Sequence, residues 1–254
     1  MVKVIYTFLK DWREPEVESY QDGKTTRYRY KNGVLTDYRR DLSIANYQYT
    51  NEGSVLYVKG SATEDKIIVD KDLNPNLSQK EKQSYTPAKW DIEKYMTNGK
   101  VINDDKSNVN WYFLRYADVL LLYAEALNEW KQGPTKEAYD AINKVRERAY
   151  GNNKYNLKNL SYEDFRKAIQ DERAYELAFE GHRRMDLVRW DIYYKTVKET
   201  SNAITEWFFD DNMAKNKAYN TAGRYTVFGK HELYPIPQRD MDLCEQFVQN
   251  PKWN

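Results

Sequence analysis

From residue 111 onward, apolar positions recur with the period of a helix. In YFLRYADVLLLYAEALNEW the groups at Leu114, Ala117, Leu121, Tyr123, Ala124 and Leu127 form one broad stripe, and a helix over those 19 residues runs about 28 Å. Gly133-Pro134 ends it, because glycine accepts the helix-terminating conformation and proline favours a boundary. A second helix is predicted over Thr135 to Ala149, with Ala138, Ala141, Ile142 and Val145 on one face. The two are joined by about four residues, which predicts an antiparallel pair. The small Ala124, Ala126, Ala138 and Ala141 permit close approach. A third helix is predicted from Ser161, whose hydroxyl can cap the first turn with Asp164 beside it, through Phe165, Ile169, Leu177 and Phe179 to about Glu180. Gly181 marks a bend or a tight crossing.

The stretch ERAYELAFEGHRRMDLVRWD, residues 172–191, places ion-pairing and large apolar groups together in one predicted helix. Glu172, Arg173, Glu176, Glu180, Arg183, Arg184 and Asp186 recur at spacings of three or four, so several can meet across successive turns. Leu177, Phe179, Leu187, Val188 and Trp190 need burial along the same segment. The expectation is a partly buried salt-bridge lattice that orients neighbouring helices, in preference to a catalytic role.

The first 110 residues read as loops with small sheets. TRYRYKNGVLTDYR flanks Asn32-Gly33, a favoured two-residue turn, with strand-forming residues and predicts a hairpin. SVLYVKG and KIIVD supply two further short strands. DKDLNPNLSQKEKQS and TNGKVINDDKSN favour turns. After Trp190 the chain is again aromatic and loop-like, and the tail HELYPIPQRDMDL is predicted to lie extended along the helical body, since Tyr234 and Ile236 precede prolines. The division expected from this pattern is 1–110, a loop-rich region with short strands packed on the helical body, and 111–254, a helical region with an extended tail. The two form either separate parts or one continuous domain.

Charge narrows the partners. Lys and Arg number 40 against 39 Asp and Glu, a formal charge of +1, which gives no broad positive field for nucleic acid or anionic lipid. The single Cys244 excludes an intrachain disulfide framework. The longest aliphatic run, Val119 to Leu122, is far too short to span a bilayer. VIYTFL, between Lys3 and Lys10, lacks the apolar length and cleavage site of a signal peptide, so the chain reads as a mature or truncated form.

Candidate chemistry is aromatic. His182 and His231 are the only histidines, and there is no HExxH, no paired-cysteine motif and no glycine-rich phosphate loop. No catalytic residue, metal or cofactor is implied. With 23 Tyr and 7 Trp, the chain can supply ring faces for stacking against a ligand. Tyr116 and Tyr123, inside a helix, are expected to be packing residues. The ligand-binding candidates are Trp12, Tyr28, Tyr30, Tyr47, Tyr49 and Tyr57 in the loop-rich region and Trp207 in the Trp207-Phe208-Phe209 cluster. Alternation puts Tyr28 with Tyr30, and Tyr47 with Tyr49, on one strand face. Cross-strand packing is the alternative for those pairs, and packing between loop and body is the alternative for Trp207.

RYADVLLLYAEALNE at 115–129, AINKVRERA at 141–149, FRKAIQDERAYELAFEGHRRMDLVRW at 165–190, and the closing ELYPIPQRDM and QNPKW stretches together resemble, in order, the C-terminal region of the SusD/RagB family of outer-membrane nutrient-binding lipoproteins. The resemblance implies a mainly α fold, a tetratricopeptide-like helical body with irregular loop-rich and small β-hairpin insertions, without the family's N-terminal half. It also implies non-catalytic capture of glycans or oligosaccharides at the cell surface for a TonB-dependent, SusC-like transporter. Membrane association would run only through a lipid anchor absent from this chain. The alternatives are a helical scaffold for proteins or peptides, marked by an apolar concave surface, and a glycoside hydrolase, marked by two opposed carboxylates about 5–9.5 Å apart.

Overall fold

The computed structural model describes residues 17–22, 25–30, 37–45, 47–49, 55–57, 86–90, 110–207 and 221–253. The chain divides into two compact units, 4–181 and 182–254. In the first lie β1 (Val17–Asp22), β2 (Thr25–Tyr30), α1 (Tyr38–Ser43), β3 (Ile44–Ala45), β4 (Tyr47–Tyr49), β5 (Val55–Tyr57), β6 (Thr86–Pro87), α2 (Tyr116–Lys131), α3 (Lys136–Tyr150) and α4 (Tyr162–Glu176). In the second lie α5 (Arg183–Arg189), α6 (Tyr193–Trp207), α7 (Thr221–Tyr225) and α8 (Gln238–Leu243). The architecture is mainly helical, and its small sheets are two-stranded: β1 with β2, β3 with β6, and β4 with β5, all antiparallel.

The core of the first unit is built from α2, α3 and α4, with Leu121, Ala124, Ala138, Ile142, Val145, Phe165 and Ile169 buried together. The whole predicted face of α3 is inside, and the Tyr139 ring meets Phe165 edge-on at 4.8 Å. α3 and α4 start where the sequence supplies an acceptor. Thr135 accepts the Ala138 amide at 3.2 Å, and Ser161 Oγ accepts the Asp164 amide at 3.1 Å, each satisfying an otherwise orphaned N–H. Between α2 and α3 the left-handed residue is Gln132, φ 54°, and the Gly133 amide returns to the Asn128 carbonyl.

Four expectations need correction. Leu114 and Tyr123 are exposed and do not belong to the core stripe, and Tyr116 is exposed as well. The core face of α2 carries Ala117, Leu121, Ala124 and Asn128, and because this helix is apolar on both sides, periodicity alone could not say which side is inside.

The second correction concerns the hairpin. β2 pairs with β1, Asp22 opposite Thr25, and the segment after Asn32-Gly33 turns into α1 at Tyr38. The reason is electrostatic: Asp37 Oδ1 accepts from the Arg39 amide at 2.9 Å and from its Nε at 3.0 Å, starting a helical turn, while Arg39 is drawn to Glu172. Local strand preference loses to a tertiary ion pair. Val55–Tyr57 forms a strand within SVLYVKG; KIIVD, at 66–70, lies outside the described residues.

Third, residues 172–191 are not one helix. α4 stops at Glu176, and Phe179 (φ 64°) and Gly181 (φ 88°) turn the chain before α5 begins. Gly181→Ala would set its Cβ 3.7 Å from Trp111 Cζ2, an ordinary contact. The expected loss of about 1 kcal/mol therefore comes from the positive φ and not from crowding; chemical denaturation of the two proteins measures it.

Fourth, the tail is not extended throughout, because Gln238–Leu243 is helical. Ahead of it, Pro235 and Pro237 have no amide donors, and Ile236 exchanges two bonds with the Gln249 side chain, its N–H donating to Oε1 at 2.7 Å and its carbonyl accepting from Nε2 at 2.9 Å. Arg184 donates to the His231 carbonyl at 2.7 Å and stacks 4.1 Å from the Tyr234 ring centre. The hydrogen bond and the ring contact tie the tail to its own unit.

Candidate functional site

Glu172, Glu176 and Glu180 follow one another at spacings of four and converge on cations from distant parts of the 4–181 unit. Glu172 takes Arg39 at 2.6 Å and Arg146 at 2.5 Å. Glu176 takes Arg148 on both oxygens at 2.6 Å, Arg115 at 2.9 Å and Arg39 at 3.4 Å. Glu180 takes Arg115 in a fork, Nε at 2.8 Å and Nη2 at 2.7 Å, and pairs with Lys89. Separately, Arg173 meets Asp118 of α2 at 2.6 Å. All three glutamates, Arg173 and Arg39 are buried. In the 182–254 unit, Asp186 is paired with Arg189 at 2.9 Å, Arg183 lies against the Trp190 ring at 5.7 Å, and Arg184 makes the tail contacts above.

The same cations terminate α4. Its last carbonyl, that of Glu176, accepts from Lys89 Nζ at 2.7 Å and from Arg115 Nη2 at 3.0 Å, positive charge at the negative end of a helix. The Trp90 indole N–H donates to the Phe179 carbonyl at 2.9 Å. The carbonyls at and just beyond the end of α4 are thus satisfied by side chains remote in sequence.

Burial opposes charge throughout the lattice, and the outcome differs by residue. For Glu176 burial would raise the pKa, but Arg148, Arg39 and Arg115 outweigh it and hold the carboxyl below its ordinary range. For Lys89 burial dominates the bond to Glu180 and, with Arg115 nearby, the ammonium pKa is pushed down. Because the folded value for Glu176 is depressed, its stabilisation is complete above the ordinary carboxylate value of 4.5 and is lost as pH falls through the folded value. Urea midpoints measured from pH 7 downward are expected to drop in that acid range, and Glu176→Gln is expected to lower the neutral-pH midpoint and shrink the drop.

One edge of the lattice carries aromatic side chains. Trp90 stacks on Trp111 with ring centres 4.5 Å apart and planes 11° from parallel, and Tyr112 leans on Trp90 at 5.4 Å. Trp90 is fixed on three sides: its indole is hydrogen-bonded as above, its neighbour Lys89 is bound to Glu180, and the Ala88 amide donates to the Ser43 carbonyl at 2.9 Å. Trp111 is 52% exposed although one of its faces rests on Trp90. The result is an indole pair whose inner ring, Trp90, is anchored and whose outer ring, Trp111, is half open to solvent.

The structure places the other ring candidates as follows. Trp12 lies outside the described residues, as do Phe208 and Phe209. Tyr28 and Tyr30 are in β2 opposite Ser19 and Val17, and Tyr47 of β4 is opposite Tyr57 of β5, with Tyr49 opposite Val55. Trp207 is the last residue of α6. For these six positions only the backbone is described. Trp90, Trp111 and Tyr112 were missed by the sequence reading. The available signal was Trp111-Tyr112 standing just ahead of a helix whose buried stripe begins at Ala117.

A sequence profile of the SusD family matches residues 3–253. The chain belongs to the SusD family. The crystal structure of a SusD homolog from Bacteroides thetaiotaomicron is 53% identical, superposes with a TM-score of 0.76 and covers 98% of this chain, which in turn covers 43% of it. Two SusD-like proteins of Formosa agariphila match at 48% identity over 91 residues, 35% of this chain, and at 28% over 215 residues, 69% of this chain. The chain spans 17% and 42% of those two relatives. The helical body is therefore the tetratricopeptide-like body of this family, and the loops and hairpins are insertions on it.

Proposed function

We propose that this chain forms part of a surface-exposed outer-membrane protein that captures glycans and passes them, chemically unaltered, to a TonB-dependent SusC-like transporter. Membership of the SusD family supports the setting. The observation that carries the ligand class is the Trp111 indole, backed by Trp90 and half open to solvent. A flat, polarisable ring suits the C–H face of a pyranose. A non-catalytic role agrees with the carboxylates beside the platform: Glu176 and Glu180 are each clasped by arginine, and Glu176 is held ionised, the wrong state for a general acid.

Calorimetric titration with defined oligosaccharides and, in parallel, short peptides tests this reading. Saccharide binding that weakens in Trp111→Ala supports it. Peptide binding with no saccharide binding overturns the ligand class, and released reducing ends would replace capture with hydrolysis. Trp12, Tyr28, Tyr30, Tyr47, Tyr49, Tyr57 and Trp207 are the next positions to substitute, as proposed further contacts.

A further inference from the structure

Two segments distant in the chain meet to make the ring pair, and charge joins them. Trp90 and Trp111 lie about twenty positions apart, and stacking on its own would have to order both segments. Both are instead fastened to the turn that follows α4. Phe179, at φ 64°, offers its carbonyl to the Trp90 indole N–H at 2.9 Å. Gly181, at φ 88°, lies against Trp111, where an added Cβ would be 3.7 Å from Cζ2. Between those two residues Glu180 holds a cation from each ring-bearing segment on one oxygen: Oε1 accepts from Arg115 Nη2 at 2.7 Å and pairs with Lys89.

Lys89 is the unusual member of this group. Burial acts against its ammonium more strongly than Glu180 acts for it, so the pKa falls below the ordinary lysine range. Its acceptors do not depend on it either. Glu180 keeps the Arg115 fork without Lys89, and the Glu176 carbonyl keeps Arg115 Nη2 at 3.0 Å. A buried cation that is hard to desolvate and redundant for its acceptors adds little to stability. What it supplies is a tether one residue before Trp90. With Nζ on the Glu176 carbonyl at 2.7 Å and the Ala88 amide on the Ser43 carbonyl at 2.9 Å, the backbone carrying the inner indole has little freedom to turn away from Trp111.

We propose that Lys89 is a positioning residue for saccharide capture, its ammonium set between Glu180 and the Glu176 carbonyl so that Trp90 stays stacked behind Trp111, a role that rests on Trp111 being the saccharide contact. An outer ring ordered before the sugar arrives removes an entropic cost from association. Lys89 therefore acts on affinity without touching ligand.

Lys89→Met keeps the apolar stem and removes the ammonium, and Lys89→Arg keeps the charge. For each variant three quantities are measured: the urea midpoint, the nuclear Overhauser effects between Trp90 and Trp111 ring protons without ligand, and oligosaccharide affinity by calorimetry. Lys89→Met is expected to unfold at the midpoint of the unsubstituted chain or above it, to lose the inter-ring effects, and to bind saccharide about threefold to tenfold more weakly. Lys89→Arg is expected to recover both the ring pair and the affinity. Ile142→Val, in the helical core, is the control for general destabilisation: its midpoint should fall while the inter-ring effects and the affinity hold. Unchanged inter-ring effects in Lys89→Met overturn the proposal, as does full affinity once they are lost. A lowered midpoint in that variant overturns it too, since the lysine would then be holding the fold. An unsubstituted chain that binds no saccharide sinks the capture reading and the binding half of this proposal together, whereas the inter-ring effects, read without ligand, decide separately whether Lys89 orders the rings.

Discussion

Glu176→Ala is expected to destabilise the 4–181 unit by about 3–5 kcal/mol, the usual cost of removing one partner from a buried ion pair. The substitution strips acceptors from three arginines at once, because Arg39, Arg115 and Arg148 all bond this carboxylate. Arg39 keeps Asp37 and Glu172, and Arg115 keeps Glu180, so the lattice loosens without vanishing. A change of that size lowers the thermal midpoint of a unit this large by roughly 10 °C. Circular dichroism melts read it directly. Lys136→Ala serves as the contrast, since its pairing with Asp140 is solvent-exposed on both sides and its loss should leave the melt unmoved. If Glu176→Ala melts like the parent, the glutamate lattice does not hold this unit together.

The second large effect is on binding. Trp111→Ala is expected to weaken saccharide affinity by about tenfold to a hundredfold, equivalent to roughly 1.5–3 kcal/mol for one well-buried aromatic contact. The fold should survive, since the indole is 52% exposed and the helices of the core do not depend on it. Trp111→Phe keeps a flat ring and should retain most of the affinity. Trp90→Ala is expected to lose affinity as well without touching ligand, because the outer indole then has no backing and the Phe179 carbonyl loses its donor. Calorimetry on the three variants separates contact from support.

How far the sequence foretells this structure depends on whether the governing contact is local. The start of α4 was legible, because Ser161 and Asp164 sit within one turn and make the cap themselves. So was the inner face of α3, whose small residues stand on only one side. The end of α4 was not, because its last carbonyl is taken by Lys89 and Arg115, and the Phe179 carbonyl just beyond it by Trp90, all far away in the chain. Tyr38 was drawn as strand and is helical for the same kind of reason: Arg39 answers to Glu172, 133 positions on. The family resemblance did carry the fold, since ordered matches fix an architecture more firmly than any single period. It could not mark Trp111, whose significance comes from Trp90 folding in behind it. The two-sided character of α2 was present in its composition, and only the packing shows which stripe is inside.

The account turns on the outer face of Trp111 meeting sugar. Indole N–H resonances, assigned with Trp111→Phe and Trp90→Phe and followed during oligosaccharide titration, test that claim most directly. The Trp111 signal is predicted to shift with a saturable dependence on saccharide, with a smaller shift at Trp90 and none at Trp253. Saturable saccharide binding that leaves the Trp111 signal in place would contradict it.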